Sequence, residues 1–309
     1  LVGCINEIGK IQKADNVSGL LGEKEMHSYM SSHANESSPV FWIHIGIDRF
    51  NDINGTLGLE YGNYVLKSVA DCINACLSDG QQLYHLVADE YMIVDQKSHT
   101  IDEVMLLHGK ICKTIKDFII SEKYKVVFTF STGIMHAAMS LKYYDEYQKK
   151  SVFSLKHAKS MGGNGVYYFK DEDYESFLRK EKIKSVLRNA VAEGFEGFEV
   201  YYQPIIDCPS GQMIGAEALM RFCMYSDEGR ENISPIEFIP LLEETGLIIP
   251  AGRFILNEAA AMCSELRQYI PEFKVNVNIS YIQMMKSDIW EDILSAIEKY
   301  KLPTESLCA

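Results

Sequence analysis

The chain has 309 residues, a length that favours two domains over one. Hydrophobic residues make up 47% and charged residues 24%, which is typical of soluble globular proteins and excludes disordered, collagen-like and coiled-coil classes. The 43 acidic and 30 basic side chains give a formal charge of −13, the wrong sign for a protein that binds a nucleic-acid polymer through its phosphate backbone. A single nucleotide bound through a metal is compatible with that charge.

Cysteine usage and hydropathy bear on where the protein acts. The eight cysteines are scattered and form no CxxC pair, so neither a zinc ribbon nor a disulfide scaffold is favoured, and reduced thiols are expected. No run of about 18 apolar residues exists, so these residues predict no membrane contact. We therefore expect a cytoplasmic location and leave open a tether through N-terminal segments outside this sequence.

The first half alternates β-rich runs with amphipathic stretches. The pattern predicts a buried strand over 40–47 and a helix over 60–77, whose apolar residues recur at three- and four-residue spacing. A hairpin over 83–94 is predicted to carry Asp89 and Glu90 at its reversal. The remaining predictions are a helix over 101–119, a strand over 125–132, a helix over 143–160 and a strand over 165–169. Together these elements predict a mixed α+β domain.

A highly charged stretch over 171–199 indicates a solvated helical connector. We place the domain boundary within it, giving domains over residues 1–175 and 176–309. Beyond it, strands predicted over 198–206, 213–222 and 273–279 alternate with helices over 235–244, 251–269 and 287–300, which favours a barrel or an open parallel sheet. This half is only about half as long as a closed (β/α)8 barrel of ~250 residues, so a barrel would be incomplete in this chain.

Polar side chains follow the first predicted strand. Asp48 and Asp52 offer hard oxygen ligands to a divalent metal, and the amide of Asn54 could read a base edge. Loops are also rich in Asp and Asn because these residues cap helices and form turns. Asp89 and Glu90 likewise have two interpretations, since a pair of carboxylates on one reversal either stays solvated or shares a cation.

Five motifs stand in order in the first domain. They are Asp15-Asn16-Val17-Ser18-Gly19-Leu20, Ile47-Asp48-Arg49-Phe50, Val87-Ala88-Asp89-Glu90-Tyr91, Ser131-Thr132-Gly133-Ile134, and Ala158-Lys159 with Gly163-Asn164. In this order they resemble the GGDEF domain of diguanylate cyclases. The resemblance implies a nucleotidyl-cyclase-like α+β fold with a site that includes Asn54, Asn63, Asp89, Glu90 and Lys159.

Several departures from the family pattern predict a degenerate cyclase. Gly46 stands where the family has a metal-binding Asp, and Val87-Ala88 stands where two glycines let a triphosphate approach the backbone. Asn54 matches the family's guanine-reading Asn, but Asn63 stands where the family has a partner Asp. His85 stands at the basic position before the signature, and the Arg-x-x-Asp inhibitory motif is missing. The resemblance therefore implies at most weak binding of GTP, no synthesis, and a regulatory role.

The second half has four landmarks in consistent order and spacing. They are Tyr202-Gln203-Pro204-Ile205, Glu217-Ala218-Leu219-Met220-Arg221-Phe222, residues 238–248, and Val275-Asn276-Val277-Asn278-Ile279-Ser280. They resemble an EAL domain, the cyclic di-GMP phosphodiesterase family. The resemblance implies a bacterial tandem GGDEF–EAL protein whose second domain is an α/β TIM-barrel-like domain, present here as its N-terminal part.

The same resemblance assigns roles in the second domain. It implies that Glu217 and Asn278 are catalytic residues that ligate Mg²⁺ or Mn²⁺ in a two-metal site, at strand ends where a barrel gathers its functional groups. It further implies that Arg221 pairs with a substrate phosphate, that Gln203 hydrogen-bonds the substrate and that Leu219 lines its pocket. Taken singly, these residues have ordinary interpretations as a strand-end carboxylate, a turn former and surface groups.

Two functions stay open at this point. In the first, the complete protein hydrolyses cyclic di-GMP to linear pGpG, and the GGDEF domain regulates it. In the second, both domains are silent and form a receptor or scaffold that binds cyclic di-GMP or GTP. Later family landmarks, including an Asp-Asp pair and a Lys, would lie after residue 309 and decide between them. A homodimer is a further candidate assembly, while the input signal and the organism cannot be read.

Overall fold

The computed structural model describes residues 14–33, 35–123, 125–139, 141–226 and 229–308. The chain divides into two compact units between Tyr174 and Glu175, which we call the first and second unit. Each unit has its own five-stranded sheet. In the described residues no helix is both long and apolar enough to cross a membrane.

The first unit is a mixed α+β fold. Its elements are α1 (Glu23–His33), β1 (Asn35–Ile47), α2 (Phe50–Leu57), α3 (Leu59–Asn74), β2 (Gln81–His85), β3 (Glu90–Asp95), α4 (Ile101–Ser121), β4 (Phe130–Met139), α5 (Tyr144–Ser160) and β5 (Val166–Tyr168). The strand order is β2-β3-β1-β4-β5, and every neighbouring pair is antiparallel except the parallel pair β4 and β5. The central strand β1 therefore has partners on both edges.

Both faces of β1 are covered, which explains its continuous apolar run. Ile43 and Ile45 pack on one face in a core shared with α3 and α4, and Trp42 packs on the other face with Tyr84 and Tyr144. The chain leaves β1 at Ile47 directly into the turn that carries Asp48. A buried strand thus fixes where this carboxylate stands.

One predicted strand lies at the wrong place. The sequence predicts a strand over 125–132, but β4 runs over Phe130–Met139. Val126 and Phe128 are buried in the core without belonging to the sheet. The alternation of apolar side chains reflects burial, and Val126 and Phe128 are buried without the hydrogen bonds of a β-sheet.

The second unit alternates strands and helices. Its elements are α6 (Asp171–Ala192, which begins before the division), β6 (Phe198–Ile206), β7 (Met213–Ser226), β8 (Gly229–Ile233), α7 (Pro235–Thr245), α8 (Ile248–Leu266), β9 (Lys274–Val277), α9 (Tyr281–Lys286), α10 (Ile289–Tyr300) and β10 (Leu307–Cys308). The strand order is β10-β9-β7-β6, and β8 pairs with the end of β7. The described residues form an open sheet and no closed barrel.

The long strand β7 separates an apolar face from a polar one. Ala216, Ala218, Met220 and Phe222 are buried in the core of the second unit, together with side chains of α7 and α8. The intervening Glu217, Leu219 and Arg221 are half-buried on the opposite face. The period of two along a strand therefore presents the predicted site residues together on one side of the sheet.

Candidate functional site

Strand register aligns polar side chains across the second sheet. Gln203 on β6 lies opposite Glu217 on β7, and Glu217 lies opposite Asn276 on β9. Asn276 and Asn278 are both exposed, while the intervening Val277 is buried. The row Gln203, Glu217 and Asn276 therefore crosses three strands, and Asn278 follows at the end of β9.

Glu217 and Asn278 are in direct contact. The Nδ2 atom of Asn278 donates a hydrogen bond of 2.7 Å to Oε1 of Glu217, although 61 residues separate them in the sequence. A carboxylate and a carboxamide at this distance are a hard-oxygen donor set that suits Mg²⁺ or Mn²⁺ once the amide turns its oxygen inward. In the described part of the chain, no three His, Cys, Asp or Glu residues are grouped to hold a metal. The donors fit a cation but supply only part of its coordination.

Arg221 is positioned beside an aromatic ring. Its guanidinium carbon lies 5.5 Å from the ring centre of Tyr201, and its Nη1 donates to the main-chain oxygen of Met220 at 2.9 Å. Leu219 lies opposite Tyr201 in the β6–β7 register. A cavity of about 310 Å³ is lined by Arg221 and Tyr201, together with Arg230. The cation–π contact orients a planar donor towards that cavity.

In the first unit, the carboxylate of Asp48 accepts three hydrogen bonds. Its carboxylate accepts bonds of 2.7 Å from the hydroxyl groups of Thr129 and Ser131 and from the backbone N–H of Asn164. These partners come from the start of β4 and the turn before β5. Asp48 therefore ties three segments together, and the metal-ligand role considered from the sequence stays a prediction. Asp52 forms an exposed ion pair of 3.0 Å with Arg49.

The two carboxylates of the hairpin have separate basic partners. Asp89 lies 3.2 Å from Nζ of Lys159, and Glu90 lies 3.0 Å from Nε2 of the fully buried His44. The hydrogen bond from His44 lowers the pKa of Glu90, burial opposes this effect, and electrostatic attraction to His44 and Lys159 adds to the lowering. The carboxylates are thus neither simply solvated nor joined through one cation.

The reversal before these carboxylates is closed by His85. Its Nε2 donates to the main-chain oxygen of Ala88 at 2.9 Å, and its Nδ1 lies 3.1 Å from Asp15. Ala88 has a positive φ of 53°, a conformation that glycine adopts more easily. The Val87 side chain is 66% exposed. A bulky, solvent-facing side chain therefore stands where the family pattern has glycine.

The remaining predicted residues lie on neighbouring helices. Asn54 on α2 is half-buried, and a Cβ atom built on Gly62 would lie 1.9 Å from its Oδ1, so only glycine leaves room for that amide. Asn63 is exposed on α3. No hydrogen bond or ion pair between described residues links either asparagine to Asp89 or Glu90.

Sequence reasoning missed three residues near these sites. Tyr201 and Asn276 share the polar face with Glu217, and the alternation of Asn276 with Asn278 was a signal that could have identified the former. His44, the partner of Glu90, stands inside an apolar strand, where a lone titratable residue was the available signal. Roles of the predicted residues of both units stay predictions.

Comparisons with known proteins identify two family domains along the chain. Residues 15–165 match the family model "Diguanylate cyclase, GGDEF domain", and residues 185–309 match the model "EAL domain". The "Uncharacterized protein y4lL" of Sinorhizobium fredii is 27% identical over 304 residues, which are 97% of this chain and 36% of that protein. The "Bifunctional diguanylate cyclase/cyclic di-GMP phosphodiesterase MucR" of Pseudomonas aeruginosa is 26% identical over 265 residues, 84% of this chain and 37% of that protein.

A solved structure covers nearly the same span. The S helix-GGDEF-EAL portion of Vibrio cholerae LapD, bound to c-di-GMP, aligns with 96% of this chain and 67% of that chain, at 15% identity and a TM-score of 0.48. The chain spans well under half the length of the curated relatives described above. Because the two family models together match most of its residues, the chain belongs to the tandem GGDEF–EAL family, with a GGDEF domain followed by an EAL domain.

Proposed function

We propose that this chain is part of a cyclic di-GMP signalling protein whose EAL domain, in the complete protein, hydrolyses cyclic di-GMP to linear pGpG. The observation that supports the proposal is the 2.7 Å hydrogen bond between Asn278, directly after β9, and Glu217 on β7, two residues that match metal ligands of the family pattern. Gln203 stands opposite Glu217 on the same face. We take the domains to meet within α6, at residues 175 and 176.

The residues of this face have distinct proposed roles. Glu217 and Asn278 would hold the divalent cations, which would supply an activated water and stabilise charge at phosphorus in an in-line displacement. Arg221, held against Tyr201, pairs with a phosphate through its two-pronged guanidinium. Gln203 hydrogen-bonds the substrate, and Leu219 lines its pocket. The place of both residues on the polar face of the sheet supports these assignments.

The GGDEF domain is proposed to regulate rather than synthesise. Support comes from the engagement of Asp48 with three hydrogen-bond donors and of Asp89 with Lys159. A catalytic site for joining two nucleoside triphosphates needs carboxylates available to metal ions. Weak binding of GTP is compatible with the retained Asn54, whereas turnover is not expected.

A specific observation favours a second candidate function. Arg221 and Tyr201 line a cavity of about 310 Å³, and Gln203 stands on the same face of the sheet. These groups suit a receptor that binds cyclic di-GMP without cleaving it. The full-length protein distinguishes the two functions, because only the enzyme turns its ligand over.

The deciding experiment measures cyclic di-GMP hydrolysis by the full-length protein in Mg²⁺ or Mn²⁺. The isosteric Glu217→Gln variant is the matched control, since it keeps the shape of the side chain and removes its charge. Formation of pGpG that falls at least 100-fold in this variant supports the enzyme. Binding of cyclic di-GMP without turnover supports the receptor, and an absence of both contradicts the two proposals together.

A further inference from the structure

The space above Gly46 in the first unit is occupied by a lysine side chain. A Cβ atom built on Gly46 would lie 2.7 Å from Nζ and 2.8 Å from Cε of Lys159. Both distances are shorter than real Cβ contacts, so any side chain at position 46 would project into the volume that the ammonium group fills. This is the position at which the GGDEF pattern supplies a metal-binding carboxylate.

The same ammonium group compensates the charge of Asp89. The Nζ atom of Lys159 lies 3.2 Å from Oδ2 of Asp89, and the two side chains are 32% and 18% exposed. A partly buried ion pair is screened less by solvent than a surface pair. Lys159 therefore provides, from within the chain, the positive charge that this carboxylate needs.

The other carboxylates of the site are also committed to donors. Glu90 is paired with His44, and Asp48 accepts three hydrogen bonds of 2.7 Å. A divalent cation would have to break these contacts before it could be ligated. It would also stand close to an ammonium group of like charge, which is unfavourable in a partly buried site.

We infer that the Lys159 ammonium is the resident cation of the GGDEF site and takes the place of the divalent metal that this fold implies. The residues present do not fit a metal at Gly46, Asp48, Asp89 and Glu90. The inference rests on the assignment of a non-catalytic GGDEF domain and extends it, because a site with a built-in cation is independent of the Mg²⁺ concentration. It makes no use of the EAL site.

The test counts bound Mn²⁺ by electron paramagnetic resonance in the full chain. We compare the wild-type chain with Asp89→Asn in the first unit and Glu217→Gln in the second. The number of bound ions is expected to stay the same in Asp89→Asn. A loss of one ion in Asp89→Asn would overturn the inference. The Glu217→Gln variant reports separately on the EAL proposal, so failure of one is distinguishable from failure of the other.

A gain of binding provides the converse test. The double variant Gly46→Asp/Lys159→Ala removes the ammonium, adds a fourth carboxylate and is expected to bind about one additional Mn²⁺ per chain. Gly46→Ala/Lys159→Ala is the matched control, because it vacates the same space without adding a ligand. Circular dichroism verifies that both variants fold. A folded Gly46→Asp/Lys159→Ala chain that binds no more Mn²⁺ than this control would contradict the inference, and the Asp89→Asn comparison stands even if the double variant does not fold.

Discussion

In the first unit, the carboxylates Asp48, Asp89 and Glu90 form hydrogen bonds and ion pairs with other side chains of the same unit. Lys159 forms an ion pair with Asp89, His44 hydrogen-bonds Glu90, and Asp48 joins the turn after β1 to β4 and to the turn before β5. Hydrogen bonds that engage a charged acceptor contribute more than neutral ones. We therefore expect these polar residues to affect the stability of the unit measurably.

Replacement of Asp48 by Ala leaves the hydroxyl of the fully buried Ser131 without its acceptor. An unsatisfied buried donor costs about 1–3 kcal/mol, so the free energy of unfolding should fall by that amount. The measurement is urea denaturation followed by Trp42 fluorescence in a Trp290→Phe background, because these are the two tryptophans of the chain. The exposed Asp52→Ala is the control. If Asp48→Ala lowers the free energy of unfolding no more than Asp52→Ala does, the hydrogen bonds of Asp48 do not stabilise the unit.

The ionisation of Glu90 should make the stability of the first unit depend on pH. Its pKa is lowered in the folded state, mainly by the hydrogen bond with His44, so the native state favours the charged carboxylate. Glu90 therefore contributes stability above its ordinary pKa of 4.5, and this contribution is lost as pH falls through the lowered value.

Unfolding measured between pH 7 and pH 3 checks the sign of this effect. The wild-type chain should lose more stability on acidification than Glu90→Gln, whose side chain does not titrate. Parallel pH profiles of the two proteins would rule out a stabilising role of the ionised Glu90.

At the scale of elements, close approach of a helix to the sheet decides which residues are tolerated. A Cβ atom on Gly133 of β4 would lie 2.5 Å from the backbone nitrogen of Leu155 in α5. Backbone cannot rotate away as a side chain can. Glycine at this position therefore sets how closely α5 packs over the strand that leads to the site.

Gly133→Ala should consequently destabilise the first unit by about 1–3 kcal/mol or more, since α5 must move as a body. Gly109→Ala in α4 is the matched control, because nothing lies within 4 Å of its Cβ position and alanine favours a helix by about 0.5–1 kcal/mol. Opposite shifts of the urea midpoint are expected. Equal midpoints for the two variants would contradict the close-packing explanation.

At the scale of the whole molecule, the two family patterns predicted from the sequence are confirmed, and most of the predicted elements occur in the predicted order. The sequence could not supply contacts between distant residues. His44 meets Glu90 only because β1 pairs with β3 in a particular register, and the filling of the space above Gly46 depends on where α5 places Lys159. Strand β8 was also missed, because its five residues are mostly exposed and polar.

In the complete protein, Glu217 and Asn278 of the EAL site should act as one unit, because Glu217 on β7 and Asn278 directly after β9 touch at 2.7 Å. In a double-mutant cycle on hydrolysis of cyclic di-GMP, Glu217→Gln and Asn278→Ala should each lower kcat, and the double variant should lose little more than the worse single variant. Gln203→Ala is the comparison, because a group that only binds substrate should raise KM more than it lowers kcat. Fully additive losses for Glu217 and Asn278 would mean that the contact between them has no part in the reaction.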